Sequence, residues 1–303
     1  MGGIESLKIT TLADNLVQSS GLLGQWGLSL LLELVDARGR GRKVVFDTGS
    51  DRASLMHNVK RLDVDLGDVD CVVLSHGHGD HSAATVEVVG AAGGVKVYAH
   101  PHTFQERFNV DKKGRRKRGG VPKGQGISEI EGAGGEVVLA TEPREVVPGL
   151  WTTGQVRRVT PFERISPARG MERRVIVVDG EEVEDQILDD QALWADVEGV
   201  GPLVVTGCAH AGPVNTLLQV QRLGGFDKMY GFIGGTHLAG RPEPYLEQTM
   251  RALRGFGLEL LSPCHCTGFK ATVLLWQALP RAFVLNFCGR ALEAGREPEP
   301  RVV

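Results

Sequence analysis

No stretch of this 303-residue sequence approaches the roughly 18 uninterrupted apolar residues that a membrane-spanning helix needs, so no span is expected. The opening residues, Met-Gly-Gly-Ile-Glu-Ser-Leu-Lys, lack the apolar core and cleavage pattern of a secretion leader. Cysteine is scarce: Cys71, Cys208, Cys264, Cys266 and Cys288 are five, an odd number that argues against a disulfide framework in so long a chain. These absences lead to the expectation of a cytoplasmic protein. Net charge is small, −3, and gives no overall attraction to nucleic acid or an anionic membrane. Low-complexity tracts and a disordered linker are missing too. With 42% hydrophobic residues the chain can bury a full core, and it reads as one domain over 1–303.

What is present is concentrated at Cys71-Val-Val-Leu-Ser-His-Gly-His-Gly-Asp-His-Ser82. Four side chains able to bind metal, His76, His78, Asp80 and His81, fall within six residues directly after an apolar run of strand character. A buried strand ending in a Gly-broken loop can aim two imidazoles at positions i and i+2 toward a single ion. Asp80 and His81 follow as the chain turns into a helix, so they face a second position beside the first. A solvated His-rich surface loop is the alternative, and both the density of ligands and the preceding strand speak against it.

In chain order, runs at 28–35 and 43–46 predict a hairpin. Asp47-Thr-Gly-Ser follows, and Asp47 either orients a metal-binding histidine or caps a helix over 50–61. A strand over 69–74, a helix over 82–92 and a strand over 95–99 come next. His100 and His102, around Pro101, are left outside the ligand set. A basic insertion at about 107–126 reads as a solvated loop, or as a flap whose Arg115, Arg116 and Arg118 bind phosphate, or as a nucleic-acid arm. Strands are predicted over 136–140, 150–153, 175–178, 191–196 and 203–206. The last runs into Gly207-Cys-Ala-His210 and a helix over 213–223, copying the strand, Gly-His connection and helix of the first motif. The same plan recurs twice more. A strand over 230–233 leads to Gly234-Gly-Thr-His237 and a helix over 243–255, and a strand over 258–261 leads to Cys264-His-Cys266 and a helix over 269–279. A final strand is expected over 282–287.

The order of these pieces, His-x-His-x-Asp-His after an early strand, an isolated histidine later and a last one near the C-terminus, resembles the metallo-β-lactamase fold. The resemblance extends to the branch of dihydropterin-type synthases, which form 7,8-dihydropterin-6-methyl-4-(β-D-ribofuranosyl)aminobenzene 5′-phosphate. It is carried by Gly27–Glu33, Phe46–Gly49, Leu74–His81, Thr153–Arg158, Phe162-Glu163, Asp189–Leu193, Thr206–Gly212, Gly234–Leu238 and Cys264–Gly268, which span nearly the whole chain. It implies an α/β fold, an αββα sandwich with metals at one edge. It also implies His76, His78 and His210 around one ion, and Asp80, His81 and His265 around a second. Two divalent ions are the expected cofactors, zinc first, with manganese or iron as alternatives. Cys208 stands where many relatives carry a bridging Asp. A thiolate there would favour a soft ion, and a buried neutral thiol would leave the second position weaker. Cys264 and Cys266 are expected to be structural.

The expected activity is hydrolysis of a phosphodiester or another ester by hydroxide held between the ions, with Asp80 orienting it. His237 is a candidate general acid, substrate contact or replacement ligand, against a plain loop histidine. In the synthase alternative an arylamine attacks a pterin methyl carbon and a diphosphate leaves. Arg157 and Arg158 join Arg115, Arg116 and Arg118 as candidate phosphate holders. A phosphate-containing small molecule is the expected partner, and a second copy of the chain is left open. A tRNA-processing nuclease is disfavoured by the acidic balance and by Cys208. Relatives of the redox di-iron kind carry Glu where His78 stands. A mononuclear iron dioxygenase keeps the His pattern and is separated by metal content. A closed structural zinc module would be richer in Cys.

Overall fold

The computed structural model describes residues 3–164 and 172–295. The expected domain span of 1–303 therefore includes residues 1–2, 165–171 and 296–303, which lie outside the described residues. Strand Ser29–Asp36 shows how the layers arise. Leu30, Leu32 and Leu34 enter a core shared with Leu193, Ala195, Val205 and Ile233 of the second half, whereas Leu31 enters a different core with Leu55, Val59 and Val88. Successive strand residues face opposite sides, so a run that is apolar throughout must be covered on both faces. Each leucine buried this way contributes about 1.5–3 kcal/mol.

Two sheet halves share the inner core. One holds, in order, Ala291–Gly295, Ile4–Ala13, Ser29–Asp36, Gly41–Phe46, Cys71–Val73, Lys96–Ala99 and Glu136–Leu139. The other holds Glu145–Val147, Leu150–Thr152, Ala192–Val197, Gly201–Thr206, Gly231–Gly235 and Leu260–Cys264. The pair Ile4 and Val197 joins them into one hydrogen-bonded path. Helices Arg52–Arg61, Thr85–Ala91 and Ile127–Gly132 cover the outside of the first half. Helices Pro213–Gly224, Glu243–Leu253 and Phe269–Ala278 cover the second. The result is the expected αββα sandwich. Among the described residues no helix is long and apolar enough to cross a membrane.

Several local expectations are corrected. The helix placed at 82–92 starts earlier, as a turn over Gly79–Ser82, and resumes as Thr85–Ala91 after Ala84 leaves helical geometry. The basic stretch is not a loop throughout: Arg107–Val110 and Arg116–Arg118 form a hairpin in a four-stranded sheet with Arg173–Val178 and Glu181–Glu184. Two of its arginines are partnered across strands, Arg116 with Glu182 and Arg118 with Glu106, and the Arg116 guanidinium lies over the Phe108 ring. The run at 282–287 is no strand, since only Phe283 bridges to Leu261. The last strand is instead Ala291–Gly295, paired along Ile4–Ala13. That N-terminal strand carries a weak sequence signal because Glu5, Ser6 and Lys8 interrupt its apolar pattern.

Candidate metal centre

The strands Gly41–Phe46, Cys71–Val73, Gly201–Thr206, Gly231–Gly235 and Leu260–Cys264 open on one edge of the sandwich, and their C-terminal ends deliver Asp47, His76, Cys208, His237 and His265. His76 is buried. Its Nδ1–H donates to Ser75 Oγ at 2.9 Å, and Ser75 Oγ donates to Asp47 Oδ2 at 2.6 Å. This chain of donors fixes the tautomer and leaves a lone pair on His76 Nε2. That nitrogen lies 2.9 Å from His78 Nδ1 and 3.2 Å from His210 Nε2, and the latter two are 3.1 Å apart. Ligand nitrogens of a tetrahedral zinc ion, each at about 2.0–2.1 Å from it, stand roughly 3.3 Å from one another. Burial pushes the pKa of His76 and His210 far down, and that of His78 to about 3, so all three are held in the neutral form that ligates.

A second set lies alongside. His81 Nδ1–H donates to the same Asp47 oxygen at 2.6 Å, which turns Nε2 toward Cys208 Sγ at 3.1 Å. Asp80 Oδ2 stands 4.0 Å from His81 Nε2 and 3.5 Å from His265 Nε2. Burial disfavours charge on His81, but Asp47 and Asp80 outweigh it and lift its pKa to about 9. Burial likewise opposes charge on Asp80, yet His81 and His265 hold it well below the usual carboxylate range. Both ring nitrogens of His265 are buried without a hydrogen-bond partner among the described residues. A buried imidazole left this way costs free energy, and a cation would supply the missing partner. The donor set therefore fits a metal. Cys208 belongs to three groups of ligand atoms: with His76 and His210, with His81 and His265, and with His237 and Cys266. Burial pushes its thiol far up in pKa.

The backbone under these side chains is strained. Asp47, Ala209, His237 and His265 have φ of 61, 52, 49 and 52°, the left-handed region that non-glycine residues avoid. Such positions cost of order 1–3 kcal/mol each and persist where surrounding contacts enforce them. Here the contacts are visible: Asp14 Oδ1 accepts from the His265 N–H at 2.9 Å and Asn15 Nδ2 donates to the His265 carbonyl at 2.9 Å. Gly207 packs where a Cβ would meet Ser75 Oγ at 2.0 Å, so the relay from His76 to Asp47 requires glycine there. Asp51, not Asp47, caps helix Arg52–Arg61 through the Ser54 N–H, which settles the two readings of Asp47 in favour of orienting ligands.

The remaining expected residues separate. The ring of His237 packs 4.2 Å from that of His210, the backbone N–H of His237 donates to Cys266 Sγ at 3.2 Å, and its ring Nδ1 is buried without a partner among the described residues. Arg115, Arg116 and Arg118 are engaged with Asp111, Glu182 and Glu106. Arg158 donates to the Gln186 carbonyl at 2.7 Å, and Arg157 is exposed. His100 and His102 stay outside both ligand sets. His100 Nδ1 accepts from the His102 N–H at 3.0 Å. Cys264 is buried and belongs to none of the ligand groups. The sequence reading gave no role to Trp26, whose ring stands 5.7 Å from that of His265 and is 62% exposed, nor to Asp14, Asp189, Asp190 and Gln191. The consecutive carboxylates Asp189-Asp190 ahead of a strand were the available signal.

Known proteins resemble this chain over nearly its whole length. The chain is 28% identical over 297 residues to the 7,8-dihydropterin-6-methyl-4-(beta-D-ribofuranosyl)-aminobenzene-5'-phosphate synthase of Methanocaldococcus jannaschii, covering 97% of this chain and 98% of that one. It is 29% identical over 286 residues to an uncharacterized protein of the same organism, covering 94% and 99%. A crystal structure described as a metal-dependent hydrolase of the beta-lactamase superfamily superposes with a TM-score of 0.77 at 23% identity, over 96% of this chain and all of that one. The metallo-beta-lactamase fold protein YhfI from Bacillus subtilis superposes with a TM-score of 0.54 at 12% identity, over the same shares. The family profile described as metallo-beta-lactamase superfamily matches residues 29–214, more than half of the sequence. The chain belongs to the metallo-beta-lactamase superfamily.

Proposed function

We propose that this protein is a metal-dependent hydrolase with a binuclear site that acts on a phosphodiester or another ester in a phosphate-containing small molecule. The observation that carries the reading is the pair of adjacent ligand sets, His76, His78 and His210 beside Asp80, His81 and His265, meeting at Cys208. A Cys208 thiolate, formed by loss of the thiol proton on metal binding, would favour zinc over harder ions. Bound divalent ions supply Lewis acidity at phosphoryl oxygens and a water of lowered pKa. The protein's own part is orientation and proton handling. Asp47 fixes the imidazole tautomers of His81 directly and of His76 through Ser75. Asp80 is a hydrogen-bond acceptor that aligns the attacking water. His237, with its unpartnered Nδ1 beside His210, delivers a proton to the departing oxygen.

The near full-length match to the synthase favours a second reading. Here the arylamine nitrogen of one substrate bonds to the methyl carbon of a dihydropterin diphosphate, the carbon–oxygen bond breaks, and diphosphate leaves while the nitrogen loses a proton. The test is to incubate zinc- or manganese-loaded protein with bis(p-nitrophenyl) phosphate, and separately with dihydropterin-methyl diphosphate plus aminobenzene ribofuranosyl phosphate, and to follow products by mass spectrometry. Metal-dependent cleavage without coupling supports the hydrolase, a coupled pterin-arylamine supports the synthase, and neither product in metal-replete protein removes both.

A further inference from the structure

Cationic side chains around the metal edge are nearly all committed. Arg107, 2% exposed, donates from Nη2 to Asp189 at 2.9 Å and to the His102 carbonyl at 2.8 Å. Arg158 donates to backbone carbonyls of Gln186 and Ile187, and Arg241 to those of His237 and Arg164. Arg174 is different. It is half-buried, and among the described residues its guanidinium has neither a hydrogen bond nor an ion pair.

Strand register shows which way it faces. Arg107 pairs across the strands with Ile176, and Asn109 with Arg174. Residues 107 and 109 lie on one face of their strand, and directly paired residues share a face, so Arg174 lies on the same face as Arg107. That face fronts the metal loop, because Arg107 reaches Asp189, and Asp189 accepts from the N–H of Gly77 between His76 and His78. Arg173, one residue earlier, lies on the opposite face and is exposed.

We propose that the Arg174 guanidinium holds a phosphoryl group of the substrate against the metal centre. The inference rests on the phosphate-substrate reading above and names the side chain that reading lacks. A half-buried guanidinium with no partner is costly, and its planar fork matches two phosphoryl oxygens at once. Its positive charge reaches the site, acting on His78 and His210. Asp185 is the nearby carboxylate and attracts it, but makes no ion pair with it, being turned to the Ile187 N–H at 2.8 Å and to Arg107 Nη1 at 3.7 Å, while Arg241 and Arg107 repel it. An anion entering from solvent supplies the direct partner that the guanidinium lacks. The arginines of the basic hairpin, each paired with its own carboxylate, have less reason to take it.

The test is calorimetric titration of zinc-loaded protein with inorganic phosphate, with zinc content measured on every sample. Loss of charge-assisted hydrogen bonds in Arg174→Met should weaken phosphate binding about tenfold or more, with Arg174→Lys falling between, while Arg173→Met stays within about twofold of wild type. Zinc content should not change. An Arg174→Met protein that binds phosphate as tightly as wild type, or that loses zinc in parallel, overturns the assignment and leaves the phosphate-substrate reading standing. Absence of phosphate binding to the wild type removes that reading, and the assignment with it. If Arg174→Met does not fold, Arg174→Lys decides: unchanged phosphate affinity at full zinc content overturns the proposal.

Discussion

The Gly77 amide donates to the Asp189 carboxylate at 2.7 Å, across 112 residues of sequence, from the middle of the His76-Gly77-His78 loop. The same oxygen accepts from Arg107 at 2.9 Å. The two residues after Asp189 act alike: Asp190 accepts from the Ala211 N–H at 2.8 Å, next to His210, and Gln191 donates its N–H to Ser75 O at 2.9 Å and its Nε2 to Leu74 O at 3.0 Å. One tripeptide thus clasps loops from both sheet halves and sets the spacing between His76, His78 and His210.

Replacing Asp189 by Asn keeps the shape and removes the charge. It leaves Arg107 buried beside a weak acceptor and loosens the Gly77 amide. Groups that orient metal ligands typically contribute 10–100-fold in affinity, so Asp189→Asn should lower zinc affinity by roughly that factor. Competition with a chromophoric chelator measures it. Wild-type affinity in the variant would show that the clasp does not act on the metal site.

The metal loop could be read from sequence because His76, His78, Asp80 and His81 are neighbours, and the later histidines because each repeats the pattern of strand, connection and helix. Asp189 was legible only as part of a matching motif, since its partner Gly77 is far away in sequence. Arg174 gave no signal at all: a charge in a short strand takes its meaning from the face it occupies, and that depends on register with Arg107–Val110. The basic hairpin is hard to read from sequence for the converse reason. Glu182 and Glu106 pair with Arg116 and Arg118 across strands, which spacing along the chain does not reveal.

Cys208 offers a spectroscopic check on the shared ligand position. Its sulfur lies 3.1 Å from His81 Nε2, and metal binding to a buried thiol requires loss of the proton that burial otherwise retains. Cobalt-loaded wild-type protein should therefore show a near-ultraviolet thiolate-to-metal charge-transfer band, absent in Cys208→Ser. A cobalt spectrum identical in both would mean that the thiol stays protonated and outside the coordination shell.

His78→Ala removes one of three converging nitrogens. Any metal-dependent turnover, hydrolytic or condensing, should fall by at least about a thousandfold, because losing the bound ion forfeits both the activated water and the charge stabilisation it supplies. Metal analysis should show the first position emptied. Full turnover at normal metal loading would refute the scheme.

Glu163 lies apart from the ligands, buried at the N-terminus of helix Pro213–Gly224, where its carboxyl accepts from the N–H groups of Val214 at 2.9 Å and Asn215 at 2.7 Å. Gly212 makes the approach possible, since a Cβ there would meet the carboxyl carbon at 2.2 Å. Burial outweighs those hydrogen bonds and raises the pKa from 4.5 to about 7. The folded protein therefore keeps a proton that the unfolded chain has released between these values, and stability from this group is full below pH 4.5 and lost as pH rises toward 7. The loss is of order 3 kcal/mol, at 1.36 kcal/mol per pH unit. Glu163→Gln, which resembles the protonated form, should lack it. In urea melts the stability of wild type relative to the variant should decline from pH 5 to pH 7 and level off above that. A difference that does not vary with pH would mean that Glu163 titrates as it does in the unfolded chain.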